Sequence, residues 1–142
     1  MKQDVLITIK GTQQMDQENE VVELLTTGRF YRKNGSYYII YDESEATGFQ
    51  GARTTLKIEE GCVTMMRSGN SHSQLIIERG VRHQCNYDTG YGNLTIGVSG
   101  EKVFSDLSDE GGEVEFRYSL DLNAALTSEN TVNIQVRKCP ES

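Results

Sequence analysis

Proline is almost missing from this chain: one occurs among 142 residues, Pro140, two places from the end. Fourteen glycines stand against it. A chain so composed turns mostly with Gly, Asn and Asp, the residues of tight hairpins. An excess of basic residues is missing too. Lys and Arg number 14 against 21 Asp and Glu, a formal charge of −7. Phosphate backbones require a basic footprint, so nucleic acid is not an expected partner, and the acidity reads as solubility. No run approaches the roughly 20 apolar residues of a membrane helix, so no membrane partner is expected. Met1 to Lys10 alternates and lacks the apolar centre of a secretory signal. Cysteine is scarce and odd in number: Cys62, Cys85 and Cys139. Their spacing fits free thiols in a reducing cytosol better than a disulfide framework. The glycosylation patterns at Asn34-Gly35-Ser36 and Asn93-Leu94-Thr95 carry no weight without a secretory route.

What the chain has in quantity is alternation. From Glu113 to Leu122, Val114, Phe116, Tyr118, Leu120 and Leu122 share one parity, and charged or polar residues take the other. This is the signature of a strand with one buried face. It recurs in Val5/Ile7/Ile9, Ala52/Thr54/Leu56/Ile58, Leu94/Ile96/Val98 and Val132/Ile134/Val136. Turn signals separate these runs. Lys33-Asn34-Gly35-Ser36 predicts a type I′ hairpin. Further turns are expected at Glu59-Glu60-Gly61, Arg67-Ser68-Gly69-Asn70, Glu78-Arg79-Gly80, Ser99-Gly100 and Asp109-Glu110-Gly111-Gly112.

Helix is scarce. Gln13 to Leu25 reads as a loop followed by a long strand, and Leu122 to Glu129 has room for one helical turn. The reading is one all-β domain over residues 1–142 with about eight to ten strands. Short consecutive turns favour an up-and-down antiparallel meander, and a meander hides its two edges by closing into a barrel. The expected interior includes Ile7, Leu94, Ile96, Val114, Phe116, Tyr118 and Val132.

An ordered set of residues adds a likeness. Tyr41-x-Glu43, Gly48, Thr54-Thr55-x-Lys57, Glu60-Gly61 and Met66-Arg67-Ser68-Gly69 are followed by Tyr87-x-Thr89-x-Tyr91-Gly92, Asp106-Leu107 and Tyr118. The set resembles the YwiB-type family, small bacterial barrel proteins without an assigned activity. That resemblance implies a calycin-like (lipocalin-like) barrel and a cytoplasmic protein of Gram-positive type. It transfers no catalytic residue.

Catalytic motifs are absent. Two histidines, His72 and His83, and no C-x-x-C or H-x-x-x-H spacing leave no metal centre to expect. Asp106-x-Ser108-x-Glu110-Gly111 starts like a calcium loop, but Arg117 stands where the twelfth-position glutamate belongs. No G-x-S-x-G elbow is present. Side chains at His83 and Cys85 stand roughly 7 Å apart along a strand, too far for proton transfer. Gly90-Tyr91-Gly92 reads as a hairpin or bulge, not a nucleotide loop. No cofactor is expected.

The remaining chemistry is polar groups on inward parity. His83, Cys85 and Tyr87 share the more apolar face of their strand, and Tyr118 shares the face of Phe116. Glu43 follows Tyr37, Ile39 and Tyr41 in parity. Arg67 sits on a strand whose faces the sequence leaves ambiguous; if inward, it needs a partner, and Glu43 is one. Glu43, Arg67, His83, Tyr87, Tyr91 and Tyr118 are therefore candidate ligand residues of the lumen or mouth. A small amphipathic or anionic molecule would suit them. The same residues read equally as a self-satisfied core, since buried tyrosines with bonded hydroxyls are ordinary. The alternative function is a solid barrel whose outer face binds a protein or a second copy, as a monomer or weak homodimer. For this, Tyr31, Tyr37, Tyr38 and Tyr41 cluster near the Asn34-Gly35 hairpin. An enzyme is the weakest reading.

Overall fold

In the computed structural model, the described residues are 3–15, 17–43, 51–69, 72–88, 92–123 and 125–139; the side chains at 3, 87, 88 and 93 lie outside the description. Alternating runs become ten strands: β1 Gln3–Met15, β2 Glu18–Lys33, β3 Ser36–Asp42, β4 Ala52–Glu59, β5 Cys62–Gly69, β6 Ser73–Glu78, β7 Arg82–Asp88, β8 Asn93–Ser108, β9 Gly111–Leu122 and β10 Ala125–Lys138. Each pairs antiparallel with the next, and β10 returns to pair with β1. The result is a closed up-and-down barrel, which leaves no outer edge to solvent.

Local chemistry sets the corners. Asn34 and Gly35 both take positive φ, 53° and 83°, as a type I′ turn demands, and Arg32 pairs with Tyr37 below them. The turns at Glu60-Gly61, Arg79-Gly80 and Asp109-Glu110 also lie between strands. Three expectations need correction. Ser99-Gly100 is no turn: it lies inside β8, at a bulge between Gly100 and Lys102. Glycine is needed there because a Cβ on Gly100 would stand 2.2 Å from the Glu78 carbonyl oxygen. Among the described residues of Leu122 to Glu129 there is no helical turn; Asn123 stands at φ 53° and β10 begins at Ala125. In Gln13 to Leu25 the long strand is present, β2 from Glu18, but the loop expected before it is largely strand, because β1 runs to Met15 and Thr12 lies opposite Val21.

Inward parity fills the lumen. Val5, Ile7, Phe30, Ile39, Leu56, Val63, Ile77, Val98, Val114 and Phe116 are fully buried. Each such side chain contributes about 1.5–3 kcal/mol of transfer free energy. Of the expected interior, Ile7, Ile96, Val114, Phe116 and Tyr118 are buried and Val132 is half-buried against them. Leu94 is corrected to 44% exposed. Its parity is inward, but it lies one residue from the start of β8, above the packed layers. The ambiguous strand β5 resolves as well: Val63 and Met65 are buried, which puts Arg67 on the inner face.

Alternation of strand direction separates the two ends. β1, β3, β5, β7 and β9 finish, and their successors begin, at one end, which we call the mouth. The Asn34-Gly35 turn and both terminal strand ends lie at the other. Apolar layers fill the barrel toward that far end, and polar inner positions gather at the mouth.

Candidate functional site

The site grows from the last residues of β3. Period-two alternation carries Tyr41 and then Glu43 inward, and Glu43 keeps the ladder by donating its N–H to the Ala52 carbonyl, 2.9 Å. A carboxylate is thereby placed among apolar neighbours, with its side chain 1% exposed. An isolated carboxylate there would cost several kcal/mol. Two neighbours offset that cost. Thr54, inward on β4, donates its hydroxyl to Glu43 Oε2 at 2.6 Å. Arg67, inward on β5, donates its Nε–H to the same oxygen at 3.1 Å. Arg67 is itself 12% exposed, so this is a buried ion pair. Glu43 Oε1 is buried with no hydrogen-bond partner among the described residues.

Tyr41 lies against this pair. Its hydroxyl is held far above the ordinary tyrosine range, first by burial and then by the negative charge of Glu43; Arg67 and a hydrogen bond with Thr54 act the other way, and Tyr118 raises it further. The phenol therefore stays neutral, a hydrogen-bonding group rather than a base. Tyr118 enters from β9 with its ring stacked on Phe116, centroids 6.0 Å apart. From β10 come two more buried polar groups: Asn130 donates from Nδ2 to Ser128 Oγ at 3.0 Å.

A cavity of about 310 Å³ opens beside these groups. Arg67, Tyr118, Asn130, Gln13 and Glu20 form its polar wall, and Val22, Leu75, Leu120 and Val132 its apolar wall. An apolar concavity with a few convergent polar groups is the usual form of a small-molecule site. No nucleophile–base pair lies along it, and among the described residues no group of three His, Cys, Asp or Glu could hold a metal.

Of the six residues singled out in the sequence, Glu43, Arg67 and Tyr118 come together at the mouth. His83 does not: it lies on the inner parity of its strand with Cys85, as expected, but is only partly buried. It belongs to the far half of β7, 30% exposed, with Nε2 2.9 Å from Glu78 Oε1 across the β6–β7 hairpin. Its parity is inward, opposite the buried Val98, but its burial stays partial where β6 and β7 share little ladder. Gln74 opposite Asn86 is their one registered pair, and the Ile76 N–H reaches Cys85 Sγ, 3.4 Å, in place of a carbonyl. Tyr87 has its backbone in β7, but its side chain lies outside the described residues, as does Tyr91 entirely. Tyr41, Thr54, Ser128 and Asn130 were not singled out. Thr54 shares parity with Leu56 and Ile58, a signal that would have found it. Ser128 was hidden by the helical turn expected over Leu122 to Glu129, and Asn130, just beyond it, shares parity with Val132 and Ile134.

Comparisons with known proteins agree with this architecture. A crystal structure of the ywiB protein from Bacillus subtilis superposes with a TM-score of 0.80, at 25% identity, over 94% of this chain and 92% of the other. The uncharacterized beta-barrel protein YwiB of Bacillus subtilis (strain 168) is 32% identical over 122 residues, 84% of each chain. Residues 7–134 match the family model described as a domain of unknown function, DUF1934. With residues 7–134 matched, the chain belongs to the DUF1934 family, and it is similar to YwiB over most of its length.

Proposed function

We propose that the barrel is a non-catalytic binding module that takes a small amphipathic molecule at its mouth. The observation that carries this reading is the 310 Å³ cavity whose wall includes Arg67, held by the buried Glu43. A buried ion pair is weak as a stability device, because burial costs about as much as the attraction returns. A pair kept at the open end, with a carboxylate oxygen still unmatched, is better explained by a task. Arg67, Tyr118 and Asn130 orient the polar end of the ligand, and Leu75, Leu120 and Val132 receive its apolar body. Glu43 acts through Arg67 as a positioning residue. Calycin-like use of the lumen is part of the same proposal, as is a cytoplasmic setting, for which the three free cysteines speak. Among the described residues, no helix is long and apolar enough to cross a membrane. Native mass spectrometry of protein purified from its own host tests the reading. A retained small molecule, lost in Arg67→Ala, is expected; bare protein that also binds nothing from a host metabolite extract would count against it.

One observation favours a second reading, a protein-interaction or self-association module. Met15 and Val21 on the β1–β2 hairpin, and Leu122 and Leu126 on the β9–β10 hairpin, are 38–64% exposed. Sedimentation equilibrium at high concentration separates the two: a dimer weakened by Leu126→Ser supports this reading, and a strict monomer removes self-association.

A further inference from the structure

We infer that the mouth selects an uncharged, hydrogen-bonding head group, a carboxamide or related amide, and discriminates against anions. The inference rests on the ligand-binding reading above and names the ligand class for it. Among the cavity-lining residues the one cation is Arg67, and its charge is already answered by Glu43 at 3.1 Å. Glu20 on the same wall adds a carboxylate with no cation of the wall to answer it. An anion entering this space surrenders its hydration next to two carboxylates and gains no surplus positive charge in return. An ammonium finds a counter-charge in Glu20 but carries no acceptor for the Arg67 guanidinium. An amide avoids both costs: its carbonyl accepts from Arg67 or Tyr118, and its N–H donates to Glu20 or to the Asn130 side-chain carbonyl. The apolar residues opposite, Leu75 and Leu120 among them, take the hydrocarbon. A cavity of this volume lies at the small end of ligand sites, which suits a body of about six carbons.

Three probes of one length decide the matter: hexanamide, hexanoate and hexylammonium, titrated into isotope-labelled protein while the amides of Leu120 and Val132 and the Arg67 Nε–H are followed by NMR. Hexanamide is expected to bind roughly ten times more tightly than hexanoate, the preference being electrostatic. Glu43→Gln uncovers the charge of Arg67 and should raise hexanoate affinity about tenfold while leaving hexanamide little changed. Glu20→Gln, at an exposed position, should move hexanoate the same way by a smaller factor and serves if Glu43→Gln does not fold. Hexanoate or hexylammonium binding the wild type as tightly as hexanamide overturns the head-group selectivity and leaves a lumen site standing. Silence of the mouth resonances with all three probes removes the ligand-binding reading and this inference with it.

Discussion

At the scale of single residues, the buried trio Thr54, Glu43 and Arg67 sets the sharpest expectations. Arg67→Ala leaves Glu43 uncompensated in the barrel wall and should cost about 3–5 kcal/mol, read as a lower urea midpoint with unchanged m. The pair removed together, as Arg67→Met with Glu43→Leu, should cost less than Arg67→Ala alone, since no charge is stranded. A double variant worse than the single one would show that the pair is a net stabiliser. Tyr41 supplies a pH prediction. Its hydroxyl titrates in the unfolded chain near the ordinary tyrosine value, about 10, and in the barrel it is held higher by burial beside Glu43. A raised folded value means that the unfolded state releases its proton first. The contribution of Tyr41 is thus complete below about pH 10 and is lost as pH rises above it. The urea midpoint of the wild type should fall above that pH more steeply than that of Tyr41→Phe. Parallel curves for the two proteins would refute the burial argument. Parity carries Glu43 and Thr54 inward and makes Glu43 one partner for an inward Arg67, but it leaves the faces of the Arg67 strand open and does not assign Thr54 to the pair. Nothing in a sequence distinguishes an inward threonine that packs from one that hydrogen-bonds.

At the scale of elements, the β6–β7 region is where reading from sequence stopped working. Period-two parity assumes that each strand follows its neighbour's ladder. It held for β3, β4 and β9, whose partners register over six or more consecutive residues. At His83 the parity holds, opposite the buried Val98, but burial is incomplete, because β6 and β7 share one registered pair and the Arg79-Gly80 turn docks instead on β8, Gly80 donating its N–H to the Gly100 carbonyl at 2.9 Å. That docking also explains why Ser99-Gly100 looks like a turn in sequence. The glycine is there for a close backbone approach, and only the folded barrel reveals which backbone approaches. Two predictions belong to this element. Gly100→Ala must push its Cβ away from the Glu78 carbonyl, and a cost of about 2 kcal/mol or more is expected by chemical denaturation, within the range for a residue forced into strain. Hydrogen exchange should find the amides around Ile76 opening more readily than those of Val63 and Met65 on the neighbouring ladder, since few backbone bonds hold this seam. Equal protection on both sides would mean that the thiol contact closes the wall as well as a carbonyl does.

At the scale of the whole molecule, the feature that makes this a barrel and not a curled sheet is the pairing of β1 with β10. Ten registered pairs, from Val5 opposite Lys138 to Gln14 opposite Glu129, join segments separated by nearly the full chain. Every other pairing is a hairpin between sequence neighbours and can form locally. Loop closure across the whole chain repays its entropy only when the apolar residues of both strands lock together. Ile7 and Ile9 on β1 and Ile134 and Val136 on β10 do this, all buried. Closure is therefore expected to be the last event in folding, after the hairpin meander has formed. Removing buried volume at the closure should act mainly on the unfolding rate, because the contact is absent from the transition state. Ile134→Ala should destabilise by about 2–5 kcal/mol, with most of the change in faster unfolding. A core truncation inside a hairpin, such as Phe116→Ala in the β8–β9 pair, should slow refolding by comparison. Stopped-flow chevrons of the two variants measure the difference. If Ile134→Ala slows refolding as much as Phe116→Ala does, the termini meet early and the hairpins assemble onto a barrel already closed.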